Sequence, residues 1–400
     1  MSSLTLHASR GPAHGRYFEP SDDQLAEVVM EVAMSLPSVP FDQEPTDFYL
    51  ISEVERFLSG PAMNWKGGPG YPFAVSHKDN RSVIEKDYTS FVLCVVDLLK
   101  RWRDVPFEEV VKMTPVEHFE KGLYYPIRDF TKNEPHNEKK RLEGRWRPVM
   151  SESMVVSVAF GVLCQKTNDV MINNHYRTFV KTGMGHSQIG ITETWDWVKA
   201  CFEKTEVMAG NDVSMWDFSI PLWLDRAETE VLILVRRASP LWANMMRNAD
   251  FCQASSLVAT SDGRVCQFDR AGRTVSGGRK TAYGNSVKRA ILSRVKDLAL
   301  PGFIPNEFAM AAMGDDCVEA SRNGTEVLIR QYAAVGFKLT DVVEFRFGEK
   351  FEFCSHMYLS REVSYPTSWQ RSLFRLVNKP YNSDDFEAWL YEMRHLADRR

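Results

Sequence analysis

Glu307-Phe308-Ala309-Met310-Ala311-Ala312-Met313-Gly314-Asp315-Asp316-Cys317-Val318-Glu319-Ala320 is the stretch that decides how this chain reads. Residues 307–313 and 317–320 have the composition of short buried strands, and only Gly314-Asp315-Asp316 joins them. So short a link makes a hairpin tip, with glycine supplying the dihedral freedom of the turn and two carboxylates standing at its end. An isolated Asp-Asp in a glycine turn is usually a solvated β-turn. The pair gains meaning from what surrounds it.

Upstream, residues 206–209 read as a buried strand that stops at Gly210-Asn211-Asp212, and Asp217 follows five residues after Asp212. Acids at that spacing are common on exposed surfaces. If the two segments neighbour each other in one sheet, however, Asp212 and Asp315 converge at its end. Convergent carboxylates are hard oxygen ligands suited to Mg²⁺, which keeps open positions for phosphate oxygens and water. Two such ions about 3.5–4 Å apart activate an attacking hydroxyl and stabilise the leaving oxygen of an in-line phosphoryl displacement.

Between these acidic motifs lies Ser276-Gly277-Gly278-Arg279-Lys280-Thr281-Ala282-Tyr283-Gly284-Asn285. Its glycines permit close backbone approach. The following helix, expected over 279–298, places Thr281 and Asn285 on one face. Two small hydrogen-bonding groups there suit a sugar hydroxyl, the group that separates RNA from DNA. The plainer reading is a helix start with two exposed polar residues.

The remaining sequence frames these motifs. The chain has 400 residues, a net charge of 49 − 53 = −4, 44% apolar and 26% charged residues. That is globular composition and excludes a disordered chain. Seven cysteines without a C-x-x-C pair exclude an obvious zinc motif and a simple disulfide framework. The apolar stretch at 155–164 is too short to span a bilayer, and residues 1–10 lack a signal-like core. Residues 60–72 read as an irregular loop, 86–112 as a helix with Phe91, Leu93, Val95, Val96, Leu98 and Leu99 on its apolar face, and 154–164 as an apolar helix. Residues 221–250 read as helical, 257–268 as a hairpin about Ser261-Asp262-Gly263, and 351–358 as a strand. Thr325 caps a helix ended by Gly336, and 382–398 form a last helix. Strands and helices mix without βαβ regularity, which points to the α+β class. His7, His14, His77, His118, His175, His186 and His395 show no metal-ligand spacing, and Trp195 and Trp197 read as packing residues.

The order Asp212–Asp217, S-G-x₃-T-x₃-N at 276–285, then Gly314-Asp315-Asp316 resembles motifs A, B and C of viral RNA-dependent RNA polymerases. Lys132-Asn133-Glu134-Pro135-His136 with Gly144-Arg145-Trp146-Arg147-Pro148 resembles their basic motif F. That wording, with Gly183-Met184-Gly185 and Phe353-Cys354-Ser355-His356, is similar to polymerases of the sobemovirus and polerovirus group of positive-strand RNA viruses. Gly70-Tyr71-Pro72-Phe73 resembles the template-guiding motif G, although Gly68 stands where most of those enzymes have Ser or Thr.

The resemblance implies a right-hand fold with a small antiparallel palm sheet. Its parts would be fingers at 1–206 and 221–273, palm at 207–220 and 274–358, and a short thumb at 359–400. It implies RNA-directed RNA synthesis with pyrophosphate release. Asp212, Asp315 and Asp316 would be ligands for two Mg²⁺ ions, with Mn²⁺ as a substitute. Asp217 and Asn285, supported by Ser276 and Thr281, would select the ribose. Lys132, Arg145 and Arg147 would hold the triphosphate, since a guanidinium fork matches phosphate geometry. On composition alone this segment is as easily a solvated loop, with seven basic residues among four acids over 128–147.

Lys338 is the candidate general acid toward pyrophosphate, with Lys350 as competitor. Gly70, Tyr71, Pro72, Gly277, Gly278, Cys354 and Ser355 would touch RNA, and the basic residues of 264–280 and 288–289 are candidates to line its path. Expected partners are template and product RNA and nucleoside triphosphates, with a protein primer and other viral replication proteins as further candidates. The expected location is the host cytoplasm, in membrane-associated complexes reached through partners. A reverse transcriptase usually carries an aromatic residue two before the Asp pair, where this chain has Met313. A catalytically silent RNA-binding relative would have lost a metal acid.

Overall fold

The computed structural model describes residues 17–132, 138–144, 146–268, 271–378 and 383–396. Its strands are β1 (Ile127–Thr131), β2 (Pro148–Ser151), β3 (Val207–Val213), β4 (Val258–Thr260), β5 (Val265–Cys266), β6 (Met310–Met313), β7 (Asp316–Ala320), β8 (Leu339–Arg346), β9 (Phe351–Phe353), β10 (His356–Tyr358) and β11 (Ser364–Pro366). Mixed helices and small sheets agree with the α+β expectation. The chain divides into two units, one from residues 29–170 and 215–284, the other from 17–28, 171–214 and 285–396.

The first unit is mainly helical. Asp79 and Ser82 close a reciprocal cap on the helix Asn80–Asp104, which buries Phe91, Val92, Val95, Val96, Leu98, Leu99 and Trp102. Leu93, expected on that face, is instead 59% exposed. The segment expected as one helix over 221–250 is two, Leu222–Arg236 and Pro240–Ser255. Arg237 takes a left-handed conformation (φ 46°) that ends the first, and Ser239 caps the second. The apolar helix runs further than expected, Met154–Asn173, and is long and apolar enough to cross a membrane. Buried Val155, Val156, Phe160 and Leu163 give it the character of a core helix. A four-stranded sheet, β2-β1-β4-β5, completes this unit, and the hairpin at 257–268 is there as β4–β5.

The second unit is built on the sheet β6-β7-β3-β8, antiparallel throughout. The acidic turn joins β6 to β7, and β3 lies beside β7, with Asn211 opposite Cys317. β3 extends past Gly210 through Asp212, with a register irregularity against β8 between those two residues. The strand expected over 351–358 is a hairpin, β9–β10, because Cys354 and Ser355 both adopt positive φ (53° and 59°). Gly324, not Thr325, stands at the N-cap of the helix Thr325–Ala334, and Gly336 ends it at φ 88° as expected. Met208, Ala311, Val318, Phe345, Phe351 and Tyr358 share its core. Phe351 stacks between Phe345 and Tyr358, with centroids 5.0 and 4.9 Å away.

One buried carboxylate ties this unit together. Glu319 on β7 accepts from Asn211 on β3 (3.0 Å), Tyr332 (2.6 Å) and Ser293 (2.7 Å), and pairs with Arg289 (3.4 Å) and Lys296 (3.6 Å). Burial by itself would raise its pKa; Lys296 and Arg289 outweigh that and hold it below the usual range. Glu319→Gln would take the carboxylate from buried Arg289 and leave Lys296 with Asp297 (3.0 Å) as its acid, a loss of about 3–5 kcal/mol. Tyr332→Phe removes one hydrogen bond and should cost about 1 kcal/mol. Thermal and urea midpoints of the two variants check this ranking; equal midpoints would contradict it.

Candidate active site

The acidic site forms at one end of the sheet in the second unit. Continuing the β3–β7 register one residue past Asn211 and Cys317 brings Asp212 opposite Asp316, directly beside the β6–β7 turn that carries Asp315. Asp212 is held in place through its own backbone, since the Val213 N–H donates to its Oδ1 at 2.9 Å. Gly314 takes φ 69°, and its N–H donates to Ser286 Oγ at 2.9 Å, so the helix Thr281–Ala299 anchors the turn.

The electrostatics are those of crowded, half-buried acids. Burial and then the Asp315 charge push the Asp212 carboxyl up to about 6. Burial and the charges of Asp315 and Asp212 push Asp316 up to about 7. Arg289 pulls both the other way. Such a cluster stores repulsion that a bound cation relieves, and its all-oxygen donors fit Mg²⁺ or Mn²⁺. The β9–β10 turn lies close by: burial first, then Asp316 and Asp315, raise the Cys354 thiol well above its usual pKa.

The two candidate lysines take opposite ends of the sheet. Lys338 precedes β8 at the aspartate end, where Asp212 pairs with Thr340, and its carbonyl accepts from the Ser214 N–H at 2.9 Å. Lys350 lies in the β8–β9 link beyond Arg346, which pairs with Val207 at the far end. Asn285, also in this unit, is buried.

The other predicted residues lie in the first unit. Lys132 and Arg147 flank the β1–β2 pair, the Lys132 N–H donating to the Arg147 carbonyl at 2.9 Å. Arg145 and residues 133–137 of the same motif lie outside the described residues. The 276–278 loop packs on β2. The Ser276 hydroxyl accepts from the Met150 N–H (3.3 Å), and the Gly277 N–H donates to the Met150 carbonyl (2.9 Å). A Cβ on Gly277 would stand 2.6 Å from that carbonyl oxygen, so this position needs glycine. The Gly278 N–H donates to the Val275 carbonyl (2.8 Å). The Thr281 hydroxyl also donates to Val275 O (2.7 Å), so it shapes the loop rather than standing free on a helix face. Asp217, in the short helix Trp216–Ser219, accepts through its carbonyl from Thr274 N–H at 2.9 Å. Gly70, at φ 66°, packs so closely that a Cβ would meet Ser153 Cα at 2.7 Å, and Tyr71 beside Pro72 is 47% exposed.

Several basic residues expected along a nucleic-acid path are buried. Lys280 pairs with Glu228 (2.6 Å) and Asp250 (2.7 Å). Arg273 is packed against Ser256, while Lys288 and Arg289 are both inside. Composition could not separate these cations from solvated ones, because their acidic partners are distant in sequence. Arg289 is instead a partner of the acidic site, which nothing in its local sequence signals. Its charge lies beneath the site, and Glu319 and Asn211 hold it there.

A profile described as viral RNA-directed RNA-polymerase matches residues 73–378, which covers every element of the acidic site. The chain belongs to that family. The chain is 29% identical over 372 residues to the replicase polyprotein P2AB of Southern cowpea mosaic virus, covering 89% of itself and 36% of that protein. It is 28% identical over 303 residues to protein P1-P2 of a Potato leafroll virus strain, covering 70% and 26%. Against the RNA-directed RNA polymerase of Mushroom bacilliform virus it is 26% identical over 340 residues, covering 82% and 79%. The chain thus spans about a third of the polyprotein P2AB it matches.

The raised carboxyls give a signed pH dependence. Unfolded Asp titrates near 3.9, so Asp212 and Asp316 take up protons on folding between about pH 4 and 7. Without divalent cations, stability should therefore fall as pH rises through that window, with the penalty fully present above about pH 7. In EDTA, Asp316→Asn should raise the thermal midpoint clearly at pH 8 and much less at pH 4.5. A pH-independent shift would contradict desolvated, mutually repelling carboxylates.

Proposed function

We propose that this polymerase chain copies an RNA template by transferring nucleotides to a growing 3′-hydroxyl. The observation that carries the reading is the strand register that gathers Asp212, Asp315 and Asp316 at one sheet end, in a chain of this family. Asp212 and Asp315, with Asp316 completing the charge, would hold two Mg²⁺ ions. When bound, these neutralise phosphate charge and lower the pKa of the attacking hydroxyl. The hydroxyl gives up its proton to solvent water, its oxygen forms a bond to the α-phosphorus as the α–β bridging bond breaks, and pyrophosphate leaves. Lys338, at the aspartate end of the sheet, gives its proton to that leaving group. The lysine placement favours it over Lys350.

In this reading residues 207–220 and 274–358 make the palm, 1–206 and 221–273 the fingers, and 359–400 the thumb. Lys132, Arg145 and Arg147 hold the triphosphate. Asp217 and Asn285 recognise the ribose, with Ser276 and Thr281 shaping the loop before them. Gly70, Tyr71, Pro72, Gly277 and Gly278 lie along the RNA, and Cys354 and Ser355 brace the 3′ end at the tip of the β9–β10 hairpin. The replicase polyproteins among its relatives make other viral proteins natural partners, through which the enzyme reaches host membranes.

Mg²⁺-dependent synthesis on a short RNA template, with and without an annealed primer, tests the reaction. Asp315→Ala should abolish incorporation while RNA binding persists; synthesis at the parent rate would refute the assignment. Lys338→Leu should slow single-nucleotide addition by about 10²–10⁴-fold, the usual worth of a general acid. Asn285→Ala should erase the preference for ribo- over deoxynucleotides, and unchanged discrimination would move sugar selection elsewhere.

A further inference from the structure

Three side chains remote in sequence meet beside the β9–β10 hairpin. His186 follows the Gly183-Met184-Gly185 turn, His356 opens β10, and Glu392 lies in the last turn of the helix Ser383–Met393. Their ligand atoms all lie within 4.8 Å of one another. His356 Nε2 is 3.1 Å and His186 Nδ1 3.9 Å from the same Glu392 oxygen. The two imidazoles stack with centroids 3.4 Å apart, 13° from parallel.

This arrangement is poorly satisfied as a purely hydrogen-bonded one. His186 Nε2 is buried without a hydrogen-bond partner, and no well-directed hydrogen bond reaches His356 Nε2, whose side chain is only 5% exposed. Orphaned buried nitrogens are costly, and each calls for a reason. Imidazoles in face-to-face contact also cannot both carry charge. Burial and then the His356 charge hold the His186 imidazole well below its usual pKa, to about 4. Two imidazoles and a carboxylate make a donor set typical of zinc, whereas Mg²⁺ and Ca²⁺ take oxygen ligands.

We propose that His186, His356 and Glu392 bind one zinc ion that pins the helix Ser383–Met393 to the β9–β10 hairpin. With bonds of about 2.0–2.2 Å, ligand atoms of a tetrahedral site stand about 3.3 Å apart. Zinc would draw the three atoms, now within 4.8 Å of one another, to that spacing by turning the rings out of their stack, with water at the fourth position. The helix is already seated there by an independent contact, Arg394 Nη2 to Gln188 Oε1 at 3.0 Å. No ligand spacing announces this site in the sequence, because its residues come from three separate segments. It also stands apart from the aspartate cluster in donor chemistry, and so does not depend on the polymerase reading.

The test uses the full chain, stripped with chelator and titrated with Zn²⁺ and then with Co²⁺. The expected result is about one tightly held zinc per chain by colorimetric release, and a visible absorption band from four-coordinate Co²⁺. The thermal midpoint should rise by about 3–5 °C when zinc stands 100-fold above its Kd. Glu392→Gln, at a partly exposed position that leaves the fold intact by circular dichroism, should weaken zinc at least about 10-fold, and His186→Gln likewise. Asp212→Asn should retain zinc fully. No zinc retained by the parent chain, or equal zinc in the parent, Glu392→Gln and His186→Gln proteins, would overturn the site.

Discussion

A single buried negative charge, that of Glu319, organises the unit that carries the acidic cluster. It reaches one residue that precedes a predicted metal ligand, Asn211, and three positions along the helix Thr281–Ala299 or its follower, Ser293, Lys296 and Tyr332. Arg289 completes the set. Isolated, the carboxylate would be expelled from the interior by its desolvation cost. Surrounded by two cations and three hydrogen-bond donors it can remain, but only when β3, β7 and the helices take one relative position. That position is the one that carries Asp212 to the β6–β7 turn.

The same buried charges work on the site above them. Three carboxylates crowded at strand ends oppose one another and oppose their own burial, which is why Asp212 and Asp316 hold protons more tightly than ordinary acids. Arg289 offsets part of this from below without occupying the open side. A lysine or arginine on the open side would satisfy the cluster and close it to a divalent cation. Cations that composition suggested for a nucleic-acid surface, Lys280 and Arg289 above all, are thus internal counter-ions.

Much of this was legible beforehand, for local reasons. The β6–β7 hairpin follows from two apolar runs separated by too few residues to do anything but turn, and the 276–278 loop from glycines ahead of a helix. The helix end at Gly336 follows from the left-handed dihedral that glycine accepts cheaply. Elsewhere the local signal is weak or is overruled by tertiary context. Residues 351–358 alternate well enough for one strand, yet Cys354 and Ser355 adopt positive φ and fold it back. Residues 221–250 are continuously helical in pattern, but Arg237 and the Ser239-Pro240 cap divide them. β8 carries no strong periodicity, and its identity as the neighbour of β3 comes from pairing.

Sequence alone determined the chemistry available: which acids stand at turns, which glycines precede a helix, and which family the order of motifs resembles. These are properties of short segments, where backbone dihedrals and side-chain type act over a few residues. The tertiary structure decided which charges face each other. It set Lys338 rather than Lys350 at the aspartate end of the sheet, put Arg289 inside, and gathered His186, His356 and Glu392 from three segments. Charge pairing and desolvation depend on distance through space. Distance along the chain does not encode it.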